Sequence, residues 1–147
     1  MLRGNQIATI DEKGRLKIPS IFRSEIEDAH ASPEFYLTSL TGDSVLIYPL
    51  SVWQEIEDRL AKLPALNPTK NKFLDRANYY GQLTSIDKSG RILIPSLLRD
   101  AAKMNGEVVV LGQLTRLDVW NHERFLARLK GQEFTDEDHQ TLSELGI

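Results

Sequence analysis

The sequence predicts an α+β fold, mainly β, in which two tandem hairpin repeats interleave into one pseudo-twofold barrel with flanking helices. Three observations carry that expectation. A 14-residue segment recurs at an offset of 76 residues, each copy is preceded by a short alternating run, and each contains a proline–serine pair suited to a helix start. Residues 10–23 read Ile-Asp-Glu-Lys-Gly-Arg-Leu-Lys-Ile-Pro-Ser-Ile-Phe-Arg, and residues 86–99 read Ile-Asp-Lys-Ser-Gly-Arg-Ile-Leu-Ile-Pro-Ser-Leu-Leu-Arg. Eight of the 14 positions are identical, which makes this a duplicated module.

The elements follow in order. Gln6–Ile10 and Gln82–Ile86 alternate Ile, Leu, Thr and Ser as half-buried strands do. Asp11 and Asp87 open a turn whose carboxylate can accept an amide two residues on, and Gly14 and Gly90 can take positive φ. The chain then returns as a second strand, which makes a β-hairpin with Arg15 or Arg91 just past its tip. Pro19 and Pro95 end that strand because they cannot donate to a ladder. Short helices are expected at Ser20–Ile26 and Ser96–Lys103.

A weaker likeness continues downstream. Phe35–Thr38 matches Val108–Leu111, and Val45–Tyr48 matches Leu117–Trp120, with the offset shrinking to about 72. Helices are expected over Ser51–Leu63, opened by a capping box at Ser51 and Gln54, and over Asn121–Lys130 with Asn121 as N-cap. The repeats thus cover residues 1–63 and 83–131. A connector, 64–82, contains Pro64, Asn67, Pro68 and a helical Lys70–Tyr80, and an acidic tail, 132–147, is helical from Asp136. One hairpin with one short helix buries too little apolar surface to stand alone. Two copies that interleave share a core, so one intertwined unit is expected.

Charge is unevenly spread over the chain. Net charge is −3, yet residues 11–23 hold four cations against two acids and residues 87–99 hold three against one. Each segment is therefore +2, and the rest of the chain carries −7. Two basic segments stand on an acidic body, at the same place in both repeats. The absence of cysteine excludes disulfides, thiolate metal sites and cysteine nucleophiles. The N-terminus lacks a signal-peptide pattern and no apolar run is long enough to span a bilayer, so a cytoplasmic protein is expected.

With the repeat defined, the chain resembles the MraZ family. The resemblance rests on the opening Met1-Leu2-Arg3-Gly4, Asp11…Arg15 and Asp87…Arg91, both Ile-Pro-Ser continuations, and Tyr48-Pro-Leu with Trp53, and it runs to about residue 130. It implies kinship with AbrB-type regulators and their swapped-hairpin barrel. It also implies a transcriptional regulator, usually a repressor, acting on the division and cell-wall gene cluster that contains its own gene. The implied partners are double-stranded promoter DNA, read as repeated boxes, and further copies of itself in a ring-shaped homo-oligomer associated with the nucleoid. No membrane partner and no small-molecule substrate are implied.

Candidate site residues follow from both arguments. Arg15 and Arg91 can pair with Asp11 and Asp87 and stiffen the turn, or be aimed by it at a phosphate or guanine edge, where a planar fork matches the acceptors. The two roles are compatible. Lys13, Lys17 and Lys88 are candidate phosphate contacts, which position a protein without reading sequence. Arg3 is a candidate through the family's opening motif. Arg23 and Arg99 fit equally well as buried ion-pair partners. Trp53, Trp120, Tyr48 and Phe125 read as core, and no aromatic ladder for stacking single strands accompanies the basic segments.

His30, His122 and His139 are scattered, and neither metal-ligand spacing nor a nucleotide or nucleophile motif is present. Asp11 and Asp87 have an arginine four residues on and no recurring base nearby. No enzyme, cofactor or metal is expected. The rivals are an antitoxin-type regulator of the same hairpin class, for which the tail is short, and an oligomeric scaffold that uses its acidic face without DNA. A +2 segment holds DNA weakly and loses affinity steeply with salt, so oligomerisation is expected to multiply the contacts.

Overall fold

The computed structural model describes residues 1–147, as eight strands and six helices. The first half contains β1 (Asn5–Thr9), β2 (Arg15–Lys17), α1 (Ser20–Ala29), β3 (Glu34–Thr38), β4 (Val45–Pro49) and α2 (Leu50–Ala61). The connector forms α3 (Pro68–Tyr79). The second half repeats the series as β5 (Gln82–Ser85), β6 (Arg91–Leu93), α4 (Ser96–Ala101), β7 (Glu107–Gln113), β8 (Arg116–Asn121) and α5 (His122–Gly131), and α6 (Asp136–Glu144) ends the chain.

The fold is α+β with a mainly antiparallel sheet. Six strands lie in the order β1-β7-β8-β4-β3-β5, and β2 pairs with β6 in a separate two-stranded ladder. Each half lends its first strand to the other: β1 runs beside β7, and β5 beside β3. Exchanging the two halves reverses the strand order onto itself, so the pseudo-twofold axis passes between β4 and β8.

This pairing corrects the expected hairpins. β1 and β2 flank a tight turn but form no ladder with each other beyond the single bridge Ile10–Leu16. The reason is burial. Leu16 and Ile92 are both 0% exposed and face each other across the β2–β6 ladder, so the second strand of each turn takes its ladder partner from the other repeat.

Alternation sorts the side chains into two layers. Phe35, Leu37, Val45 and Ile47 join Val108, Val110, Leu117 and Val119 in the central core with Leu16, Ile18, Ile92 and Ile94. The opposite face of β3 and β4 packs Leu46 and Tyr48 against Trp53 of α2 and Ala77 of α3.

Helix starts differ in their caps: α1, α2 and α4 begin behind a proline with no side-chain cap. Asn67 and Asn121 accept the Lys70 and Arg124 amides, at 3.0 and 3.1 Å, as N-caps. The expected capping box at Ser51 does not form. The helix begins one residue earlier behind Pro49, and the Ser51 hydroxyl instead bonds His30 Nδ1 at 2.7 Å. Thr135 and Asp138 make a reciprocal box on α6, which buries no residue.

Candidate nucleic-acid interface

Both Asp-x-x-Gly-Arg segments form the same turn. The Asp11 carboxylate accepts the Lys13 and Arg15 amides, each at 2.9 Å, and Asp87 accepts those of Ser89 and Arg91 at 2.8 and 2.9 Å. Gly14 and Gly90 sit at φ +83° and +80°, where a side chain would be strained. The Arg15 and Arg91 amides are the main reason each carboxyl is held below the usual value near 3.8, with the arginine charges adding to the effect. The turns are therefore clamped by ionised aspartates at neutral pH.

The turns also grip each other's repeat. Ile94 donates its amide to the Gly14 carbonyl at 3.0 Å, and Ile18 donates to Gly90 at 2.8 Å. Between the turns runs the β2–β6 ladder, with Arg15 opposite Leu93 and Lys17 opposite Arg91. Because Leu16 and Ile92 point into the core, Arg15, Lys17, Arg91 and Leu93 share the outward face. The result is a two-stranded ribbon whose outer face carries three cations and one half-exposed leucine.

The arginines differ in their partners. Arg15 donates through Nε to Asp11 at 2.9 Å, so in the first repeat the turn aspartate holds its arginine as well as its backbone. The Arg91 guanidinium has no acceptor in the protein, and Asp87 holds only backbone amides. Lys13 and Lys88 are exposed on the two turns and Lys17 on the ribbon.

Arg3 does not join them. Leu2 is bridged to Leu114 beyond the far end of β1, so the whole strand, about 17 Å long, separates Arg3 from the first turn. The sequence also missed how Arg23 and Arg99 are placed. Neither is fully buried, and each lies against the turn glycine of the opposite repeat. Their recurrence at the same offset is the available signal, but nothing local says that they cross over.

No group of three or more His, Asp or Glu side chains is arranged to hold a metal ion, and no helix is long and apolar enough to cross a membrane.

Comparison with known proteins gives one consistent answer. The family model described as "MraZ protein, putative antitoxin-like" matches residues 1–76 and 82–144. A protein of Acidobacterium capsulatum named transcriptional regulator MraZ is 46% identical over 147 residues, covering all of both chains. One of the same name from Koribacter versatilis is 48% identical over the same full span. Another, from Tolumonas auensis, is 30% identical over 99% of this chain and 91% of its own. The chain belongs to the MraZ family.

Proposed function

We propose that this protein is a DNA-binding transcriptional regulator that contacts duplex promoter DNA with the β2–β6 ribbon and its two turns. One observation carries the reading: Arg15, Lys17 and Arg91 project together from a rigid two-stranded ribbon on an otherwise acidic chain. A B-DNA major groove, about 12 Å wide, admits such a ribbon. The three-residue ladder spans about 10 Å, so both turns fit one groove.

In this reading Arg15 and Arg91 contact phosphate or guanine edges, and Lys13, Lys17 and Lys88 contact phosphates. Arg3, away from the ribbon, serves a neighbouring contact. Asp11, Gly14, Pro19 and their counterparts Asp87, Gly90 and Pro95 set the turn geometry. The same reading takes repeats 1–63 and 83–131, joined by 64–82 and followed by the tail 132–147, as one tandem swapped-hairpin barrel, supported by the approach of β2 to β1 and of β6 to β5.

The relatives' names support regulation of transcription. The finer reading is repression of the division and cell-wall gene cluster, including the protein's own promoter, from a cytoplasmic, nucleoid-associated pool. One subunit offers few phosphate contacts, so a ring-shaped homo-oligomer that repeats the ribbon on one face is the binding form. No enzymatic step, cofactor or small-molecule substrate enters.

The test is a gel-shift titration with DNA from upstream of the protein's own gene, over a salt series, beside the Arg15→Ala/Arg91→Ala double variant. The expected result is a loss of at least about tenfold in affinity, as one charge-assisted contact of about 1.5 kcal/mol suffices. Unaltered affinity in the double variant rules out the ribbon as the contact surface.

A further inference from the structure

Each turn is completed by an arginine from the other repeat. A Cβ on Gly14 would collide with the Arg99 guanidinium, 2.6 Å from its Nε, and one on Gly90 would lie 2.8 Å from Arg23 Nη1. Arg99 donates Nε to the Ile94 carbonyl at 2.8 Å, while the Ile94 amide holds the Gly14 carbonyl. The arginine and the turn are thus fixed to one residue. Arg23 spends its Nε on Glu27 at 2.9 Å, as an ion pair within α1.

The charges at the turns are therefore unequal. At the first turn Arg15 is tied to Asp11, and Arg99 has no carboxylate partner. At the second, Arg23 is tied to Glu27, and Arg91 has none. Each turn carries one neutralised arginine and one free arginine, and both free arginines come from the second repeat.

We propose that Arg99 is a further phosphate-contacting residue, supplied by the second repeat to the first turn, so that anchoring on DNA rests chiefly on Arg91 and Arg99. This rests on the DNA-binding reading of the ribbon. With Nε anchored, both Nη groups of Arg99 remain as free donors on a pre-positioned plane, the arrangement that loses least entropy on gripping a phosphate. Arg15 is anchored through Nε as well, but to a carboxylate, so Asp11 already offsets its charge.

The experiment is fluorescence anisotropy of the full-length protein on a labelled duplex from upstream of its own gene, from roughly 50 to 200 mM salt, the range over which phosphate binding weakens measurably. Arg99→Gln is expected to bind about tenfold more weakly. Its line of log K against log salt is expected to be shallower by about one unit for each phosphate that the variant no longer neutralises. Arg99→Lys keeps the charge and is expected to retain the slope. The Arg23→Gln/Glu27→Gln pair, which leaves the net charge unchanged, is expected to match the wild-type slope.

Should Arg99→Gln melt below the assay temperature, Arg99→Met keeps the apolar stem over Gly14 and carries the same expectation. A wild-type slope in the neutral Arg99 variants overturns the proposal even if affinity falls, because a merely structural role moves affinity alone. If the wild type binds no duplex even at low salt, the DNA reading itself fails, and this proposal with it.

Discussion

The two halves of the molecule are nearly interchangeable on the inside and differ on the outside. In the core, Leu16 answers Ile92, Ile18 answers Ile94, and Phe35 and Leu37 answer Val108 and Val110, all buried. On the outer face of β3 and β4, Trp53 of α2 stacks 4.6 Å from Tyr36 and 6.1 Å from Phe73 of α3, so two helices cover that face. The equivalent face of β7 and β8 has α5 alone, which buries no residue, with Phe125 5.8 Å from Trp120 and Arg128 4.8 Å over the Trp120 ring. Arg116 reaches from that face to Asp118 and to the Tyr48 hydroxyl, linking the halves. Positions where the copies meet each other are held alike by shared packing, and positions where each copy meets a different cover are free to diverge.

The comparison can be tested first where the halves differ most. Trp53→Ala is expected to cost about 3–5 kcal/mol, and the matching Phe125→Ala about 1–2 kcal/mol, since Phe125 is only partly buried. Within the shared core, Leu16→Ala and Ile92→Ala are each expected to cost about 2–5 kcal/mol and to differ little from one another. Chemical denaturation measures all four. Equal costs at the outer pair, or very unequal costs at the inner pair, break the division into a symmetric inside and a divergent outside.

A smaller effect concerns the turns. Asp11 and Asp87 have carboxyls held below the value near 3.8, so their stabilisation is complete above that value and is lost as pH falls through the lowered one. Melting temperature is expected to drop as pH falls below about 4, and the Asp11→Asn/Asp87→Asn variant is expected to flatten part of that limb. Asp138, also lowered by its cap on α6, contributes to the same limb, but that helix buries nothing and its melting moves the fold little. An acid limb identical in the double variant means that the turn carboxylates do not couple to folding.

Much of this is legible in the sequence because the signals are local. The Asp11 and Asp87 turns, the glycines at positive φ, the strand runs and the Asn121 cap each follow from a few adjacent residues. The duplication itself announces an intertwined unit. The strand partners are not legible: alternation tells which face a residue takes but not which strand lies beside it, so β2 reads as the partner of β1 when it pairs with β6. For the same reason Arg15, Lys17 and Arg91 can be chosen as cations but not placed on one face. The capping box at Ser51 fails because Pro49 starts the helix earlier and His30, distant in sequence, takes the hydroxyl. Arg3 rests on family likeness alone, and the structure puts a whole strand between it and the turns.

The central claim is that a ribbon shared by both repeats meets the DNA. Amide hydrogen exchange of the full-length protein, with and without the upstream duplex, tests it most directly. The account predicts slowed exchange at residues 11–18 and 87–94 together, with the α2–α3 face unchanged. Protection confined to the outer helices, or to only one of the two turns, would contradict it.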